Sequence, residues 1–267
     1  MLRDITIGQY YNIKSIIHSL DPRVKLMGTL VFLMSLFLSG NIFGYILATF
    51  ALTIVIKKSK VPFKFMIRGL KSLIFLLLLS VIFNIFLTPG RVIWKFYFLQ
   101  ITIEGIKISF MMALRLVYLV IGSSILTLTT TPNELTSGIE KGLGFMKKFN
   151  VPIAEIAMMM SISLRFIPIL IEETDRIMKA QIARGANFDE GNLFQKAKAM
   201  IPLLVPLFIQ AFRRANDLAE AMESRFYNSS VERTKLHPLI YSNNDKKSYC
   251  FMFIFLLCMI ATHFIKI

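Results

Sequence analysis

Two arginines carry the clearest chemistry that residue type and spacing allow in this chain. Arg184 lies in Ile182-Ala183-Arg184-Gly185 and Arg225 in Glu223-Ser224-Arg225-Phe226, each at the polar end of a long stretch with helical patterning. A guanidinium at a helix end, flanked by a small residue such as Ala183 or Ser224, can enter a groove and make a forked, charge-assisted bond to a carboxylate. A second explanation needs no partner. Glycine commonly ends a helix in the left-handed conformation, and a cation there complements the macrodipole. That explanation suffices for a lone Arg-Gly. Two stretches of one design shift the balance toward two receiving grooves, as paired subunits would offer.

Other chemistries lack their residues. No Gly-x-x-x-x-Gly-Lys-Ser/Thr loop is present, so the chain itself should not hydrolyse ATP. His18, His237 and His263 are isolated, without metal-ligand spacing, and no metal or cofactor is expected. No carboxylate pair lies within an apolar span, which argues against a proton-coupled carrier. Glu172, Glu173 and Asp175 sit beside Arg176 and Lys179 and read as a solvated helix face. Cys250 and Cys258, eight apart on one expected helix, are poor candidates for pairing with each other. The expectation is a non-catalytic protein.

The elements that position the arginines run from about Pro152 to Tyr227 and read as two long helices, or arms. Each has proline near its apolar start: Pro168 in the first, Pro202 and Pro206 in the second. Proline kinks a helix where it passes from one packing environment to another, so these three are candidate hinges. Leu170, Ile171, Ile177, Met178 and Ile182 share a face of the first arm. Phe208, Phe212, Ala215, Leu218, Ala219, Met222 and Phe226 form the stripe of the second. The arms join through a turn at Asn187 to Asn192 containing Asp189, Glu190 and Gly191. They look membrane-like or core-like at their starts and amphipathic toward their arginines.

Around the arms the chain reads as a membrane protein. Of its 267 residues 55% are hydrophobic and the mean hydropathy is +0.61, with four stretches near or above the apolar length a crossing needs. The net charge of +15 clusters beside these spans, as the positive-inside rule requires, and forms no stripe for nucleic acid. Met1 to Asp21 is mixed polar and is read as no signal peptide. Asp21 can cap a helix with Pro22 at its first position, which places Arg23 and Lys25 in the headgroup layer. Spans follow at about Leu26–Ser39, to Ile56, Ser72–Leu87 and Glu104–Thr130, with a last one at Tyr249–Ile265.

Lys57, Lys58, Lys60, Lys64, Arg68 and Lys71 form a basic loop assigned to the cytoplasm, and the N-terminus goes with it. Residues 91–103, rich in aromatic and β-branched side chains, suit an interfacial segment on the outer face. Arg115, inside the fourth span, should face protein or water. It either hydrogen-bonds carbonyls within the bundle or serves a function. Thr131-Pro132-Asn133-Glu134 is a capping box opening a short helix along the membrane surface. The expected organisation is a membrane region (1–131), cytoplasmic coupling helices (132–228), a linker (229–248) and a C-terminal transmembrane helix (249–267). The fold class is an all-α integral membrane protein with about five transmembrane helices plus the two arms, the C-terminus lying outside.

Several motifs together resemble a known family. They are Leu20-Asp21-Pro22-Arg23-Val24-Lys25-Leu26, Thr129-Thr130-Thr131-Pro132, Ser163-Leu164-Arg165-Phe166-Ile167-Pro168 and Ala183-Arg184-Gly185. Over essentially its whole length the chain resembles the transmembrane T component of energy-coupling factor transporters, relatives of the cobalt-transport permeases. The family closes each coupling helix with an Ala-Arg-Gly-like motif; here the second is Ser224-Arg225-Phe226, which keeps only the arginine. The resemblance implies that the arms cross on the cytoplasmic face of the plasma membrane and dock into two ATPase subunits, identical or different. It further implies a membrane-embedded, substrate-binding S component that captures a vitamin or a transition-metal ion such as cobalt or nickel. Cargo choice then belongs to that other subunit. The nearest rival is a conventional ABC importer permease with its own substrate path, against which the scarcity of polar residues in the spans argues. A membrane-embedded enzyme would need clustered acids, histidines or a nucleophile, and a non-transport scaffold would use the arms for binding alone.

Overall fold

The computed structural model describes residues 10–96, 99–186, 188, 192–228 and 238–264. The segment before Tyr10, Tyr97 and Phe98, Asn187 and Asp189 to Gly191 of the inter-arm turn, residues 229–237 of the expected linker, and Ile265 lie outside them. Within these residues the chain is all-α apart from one small hairpin. It divides into two units, one holding residues 8–142 and 239–267, the other residues 1–7 and 143–238.

In the first unit α1 spans Pro22–Leu38, α2 Ile42–Ser59, α3 Phe63–Leu87, α4 Ile103–Thr129, α5 Pro132–Gly142 and α8 Asn243–Phe264. Pro22 occupies the first turn of α1, and the Asp21 carboxylate accepts the Arg23 N–H at 2.9 Å, so the expected cap forms. The capping box of α5 also forms. The Thr131 hydroxyl accepts from Glu134 N–H, and the Glu134 carboxylate accepts from Thr131 N–H. Gly138 lets α5 lie against the start of α1, because a Cβ there would come within 2.9 Å of Pro22 Cβ.

Two expectations are corrected, and one segment takes a form that the sequence did not assign. The six bases do not form a loop: α2 continues through Ser59, and α3 begins at Phe63 after a link turned by left-handed Lys60. Apolar residues interleave the cations, and Met66 among them is fully buried, so the segment folds as a helix. α3 then bends by 63° between Phe63–Lys71 and Leu73–Leu87. Within the segment expected at the interface, β1 (Val92–Phe96) pairs antiparallel with β2 (Leu99–Thr102), as β-branched and aromatic composition favours. The last helix starts at Asn243 instead of Tyr249, because Ser242 and Asp245 cap it reciprocally: Asp245 accepts from Ser242 N–H at 2.7 Å and the Ser242 hydroxyl accepts from Asp245 N–H.

The core of this unit joins Leu52, Val61, Met66, Ile121, Ile125 and Leu128, with Ala51, Phe255 and Met259 in a second cluster. Much of the remaining apolar surface faces outward, including Phe37, Phe50, Phe75, Phe83 and Phe253. Exposed aromatics on this scale are a liability in water and ordinary against lipid. By length and composition α2, α4 and the helix Ile153–Ala183 (α6) can each cross a bilayer, and bent α3 makes a fourth candidate.

In the second unit a 3-10 turn (Gly144–Phe149) precedes α6 (Ile153–Ala183) and α7 (Leu193–Glu223). These are the two arms. The first half of α6, placed with the cytoplasmic arms from sequence, is thus apolar enough for bilayer, and its charges gather toward Arg184.

Candidate coupling tips

Both arms end in one hydrogen-bond motif. At the end of α6 the N–H of Ala186 donates to Gln181 O at 3.0 Å and that of Gly185 to Ile182 O at 2.9 Å, with Gly185 at φ +88°. This is a Schellman closure with Arg184 as the last residue before the left-handed turn. At the end of α7 the N–H of Tyr227 donates to Met222 O at 3.0 Å and that of Phe226 to Glu223 O at 2.9 Å, with Phe226 at φ +54°. The pattern repeats residue for residue. Arg225 takes the place of Arg184 and Phe226 the place of Gly185. The departure of the second motif from alanine and glycine therefore leaves the backbone of the tip unchanged.

Only the cost differs. Glycine adopts the left-handed region freely, whereas an L-residue there brings Cβ toward the following carbonyl oxygen. Phe226 bears that strain while 94% exposed, with little packing on its ring among the described residues to repay it. Ser224 Oγ donates back to Ala221 O, while Ala183 and Glu223 are exposed. Arg184 and Arg225 are exposed too, and neither forms an ion pair with a described residue.

The arms pack on each other. Gln210 Nε2 of α7 donates to Glu173 Oε1 of α6 at 2.9 Å, and Arg176 approaches the other oxygen of the same carboxylate at 3.7 Å. Glu173 is thus no member of a solvated face but the polar tie between the arms. The Asp175–Lys179 pair at 3.6 Å remains at the surface, where such a pair contributes little. Counted along the helices at 1.5 Å per residue, Arg184 lies about 16 Å and Arg225 about 22 Å beyond the tie. Pro168 lies inside α6, Pro202 and Pro206 inside α7, and both helices run unbroken over them. Each proline withholds one intrahelical N–H, from Leu164 O, Lys198 O and Pro202 O respectively.

Two polar groups lie in the other unit. Arg115 Nε donates to the Tyr45 hydroxyl at 3.2 Å and Nη2 to Ser39 O at 3.3 Å, which ties α4 to α2 and to the end of α1. The Asp21–Arg23–Lys25 motif is turned inward, onto partners of its own chain. Arg23 holds Asp21 through two side-chain bonds, at 3.0 and 2.8 Å, and stacks over Tyr241 at 3.9 Å. Lys25, only 7% exposed, donates to the carbonyls of His18 and Thr129. Burial pushes the Asp21 carboxyl upward, but its bonds to Arg23 outweigh that and hold it below the usual carboxylate range. Asp245, 1% exposed, accepts the Asp21 N–H at 2.9 Å and pins the start of α8 to the start of α1. Gln210, Phe226 and Asp245 were not singled out from sequence for these roles. Only Asp245 had a local signal, as the fourth residue of Ser242-x-x-Asp245. Among the described residues no three His, Cys, Asp or Glu side chains gather as metal ligands, and Cys250 and Cys258 are free and exposed.

Comparison with known proteins covers nearly the whole chain. Residues 13–236 match the family model described as cobalt transport protein (CbiQ). The energy-coupling factor transporter transmembrane protein EcfT of Ruminiclostridium cellulolyticum is 49% identical over 245 residues, 92% of each chain. Its namesake in Clostridium kluyveri is 51% identical over 247 residues, again 92% of each, and that of Bacillus subtilis 43% over 246 residues, 92% of this chain and 93% of the relative. The apolar helices, the paired arms and these likenesses agree, and the chain belongs to the cobalt transport protein (CbiQ) family as a membrane-embedded transport subunit of the energy-coupling factor type.

Proposed function

We propose that the chain couples ATP hydrolysis by two cytoplasmic ATPase subunits to movement of a substrate-binding S component in the membrane, so that a vitamin or transition-metal ion is taken up. The single observation that supports this best is the repetition of one closure at both arm ends, with Arg184 and Arg225 in equivalent places and both exposed. Each guanidinium is suited to a carboxylate at the floor of an ATPase groove, where a planar fork makes two parallel bonds. The Gln210–Glu173 tie makes the arms move together, so closure of the two grooves acts on both at once. Pro168, Pro202 and Pro206 serve as compliant points, since each lacks one hydrogen bond of the ladder.

The test is co-purification of the ATPases and substrate uptake, measured on the same preparations of Arg184→Ala, Arg225→Ala and the double variant. Removing one arginine leaves a buried partner charge unpaired, a loss of about 2 to 5 kcal/mol. Each single variant should lose transport more than assembly, because the other arm still holds, and the double variant should lose both. If the arginines only cap helices, each substitution costs about 0.3 to 1 kcal/mol of local stability and coupling survives. A double variant that binds both ATPases and transports normally would overturn the proposal.

A further inference from the structure

A cavity of about 610 Å³ opens among α1, α2, α4 and α8. Its chemistry changes along its length. At one end stand Lys25 near the start of α1, Lys58 in the last turn of α2 and Lys247 in the second turn of α8, with Asn244 and Ser248 beside them. Deeper in, the walls are apolar: Phe32 from α1, Ala51 from α2, Leu126 from α4, and Met252 and Phe255 from α8. From Lys25 to Phe32, or Lys247 to Phe255, is seven or eight helical residues, a depth of about 10 to 12 Å. No carboxylate of the described residues lines the cavity. Three acids lie near Lys25 and each is engaged: Asp21 by Arg23, Asp245 by Ser242 and the Asp21 N–H, and Glu134 by the Thr131 N–H. Lys58 and Lys247 are exposed, and no described carboxylate forms an ion pair with either.

We propose that this crevice is a binding site for an anionic phospholipid, with the phosphate between Lys58 and Lys247 and part of one acyl chain along Phe32, Leu126 and Met252. The charge pattern selects the occupant. A neutral lipid would leave Lys58 and Lys247 without a counter-charge, and a free phosphate would leave the apolar depth unfilled. Volume and lining agree with a pocket that is mostly apolar and carries a few convergent polar groups. Basic pockets between transmembrane helices hold acidic headgroups by this same pairing. Because α1, α2, α4 and α8 all line the crevice, a bound chain would also seal the bundle where those helices diverge.

The experiment is native mass spectrometry on the full chain, alone and in its assembled transporter, after exchange into phosphatidylglycerol or phosphatidylcholine of matched acyl chains. Wild type should retain one phosphatidylglycerol with at least about tenfold preference, in both the free and the assembled state. Lys58→Gln with Lys247→Gln should lower that retention by about tenfold or more. Lys196→Gln with Lys198→Gln on α7 should leave it unchanged. Leu126→Trp, which fills the apolar depth, should abolish retention. The lysine pair carries the test if that bulky variant fails to fold, because both lysines are at the surface. Equal retention of the two lipids, an unaffected lysine pair, displacement by added glycerol 3-phosphate, or loss of the lipid on assembly would each overturn the proposal. The last result would assign the crevice to a protein partner.

Discussion

Replacing Phe226 by glycine or asparagine separates the two roles an arm tip can have. In the structure Phe226 is at φ +54° and 94% exposed, so its ring adds no packing to offset a backbone that disfavours it. Glycine removes that strain, worth about 1 kcal/mol, and asparagine removes part of it. The local effect is readable at the Tyr227 amide, which closes the motif on Met222 O at 3.0 Å. A gain of 1 kcal/mol raises its hydrogen-exchange protection by about fivefold. If the tip seats in an ATPase groove, the exposed ring is an aromatic anchor, and its removal should cost 2 kcal/mol or more, about thirtyfold in affinity. The variant should therefore be better closed at the helix end and worse at binding. Affinity of the purified chain for each ATPase, with uptake in cells, completes the assay. Tighter closure with unchanged or improved binding and transport would refute the reasoning and leave Phe226 as a tolerated defect.

Asp21 makes acid stability diagnostic. Its folded-state carboxyl is held below the ordinary range, so its contribution is fully present above the unfolded value of about 4 and disappears as pH falls through the lower folded value. Asp21→Asn should flatten that acid limb of a thermal-unfolding series, and at neutral pH should destabilise the chain by about 3 kcal/mol by stranding Arg23. Arg115→Leu should insert as well as wild type or better, an ionised arginine at a helix centre costing about 2.5 to 3.5 kcal/mol. Losing the bonds to Tyr45 and Ser39 should nonetheless reduce thermal stability of the assembled bundle. Cysteine at Lys60 or Asn192 should resist an impermeant thiol reagent added to intact cells, and labelling at either site would reverse the orientation argued from the basic cluster.

Local signals were legible in the sequence and non-local ones were not. Arg184-Gly185 announces its closure because glycine is the residue that the left-handed position favours; nothing about Phe226 does, and although Arg225 marks the second tip, its closure is recognised only from Tyr227 N–H reaching Met222 O. The caps at Asp21 and Thr131 lie within four residues of their partners, so residue type and spacing suffice to show them. The cap at Ser242 was equally local, but the apolar run by which a span is recognised starts only at Tyr249, and the polar first turn was assigned to a linker. Charge density made residues 57–71 look like a loop, while the burial of Met66 depends on residues of α4 distant in sequence. The partners of Lys25 are hidden for the same reason. A lysine beside a span normally goes to the headgroups, and only the fold brings the carbonyls of His18 and Thr129 within reach of its ammonium. The Glu173–Gln210 tie joins two helices across a turn, a pairing that periodicity along either helix cannot reveal.

The most direct measurement is site-specific photo-crosslinking from the arm ends in the assembled transporter. A photoreactive residue at Ala183 or at Ser224 leaves both arginines in place and reports what surrounds each tip, with Lys198 as a control outside both closure motifs. The account predicts that each tip crosslinks to a single ATPase subunit, at residues bordering an acidic side chain, and that Arg184→Ala or Arg225→Ala lowers the yield at its own tip only. Crosslinks to lipid or to the S component from both tips, or ATPase crosslinks indifferent to the arginines, would contradict it.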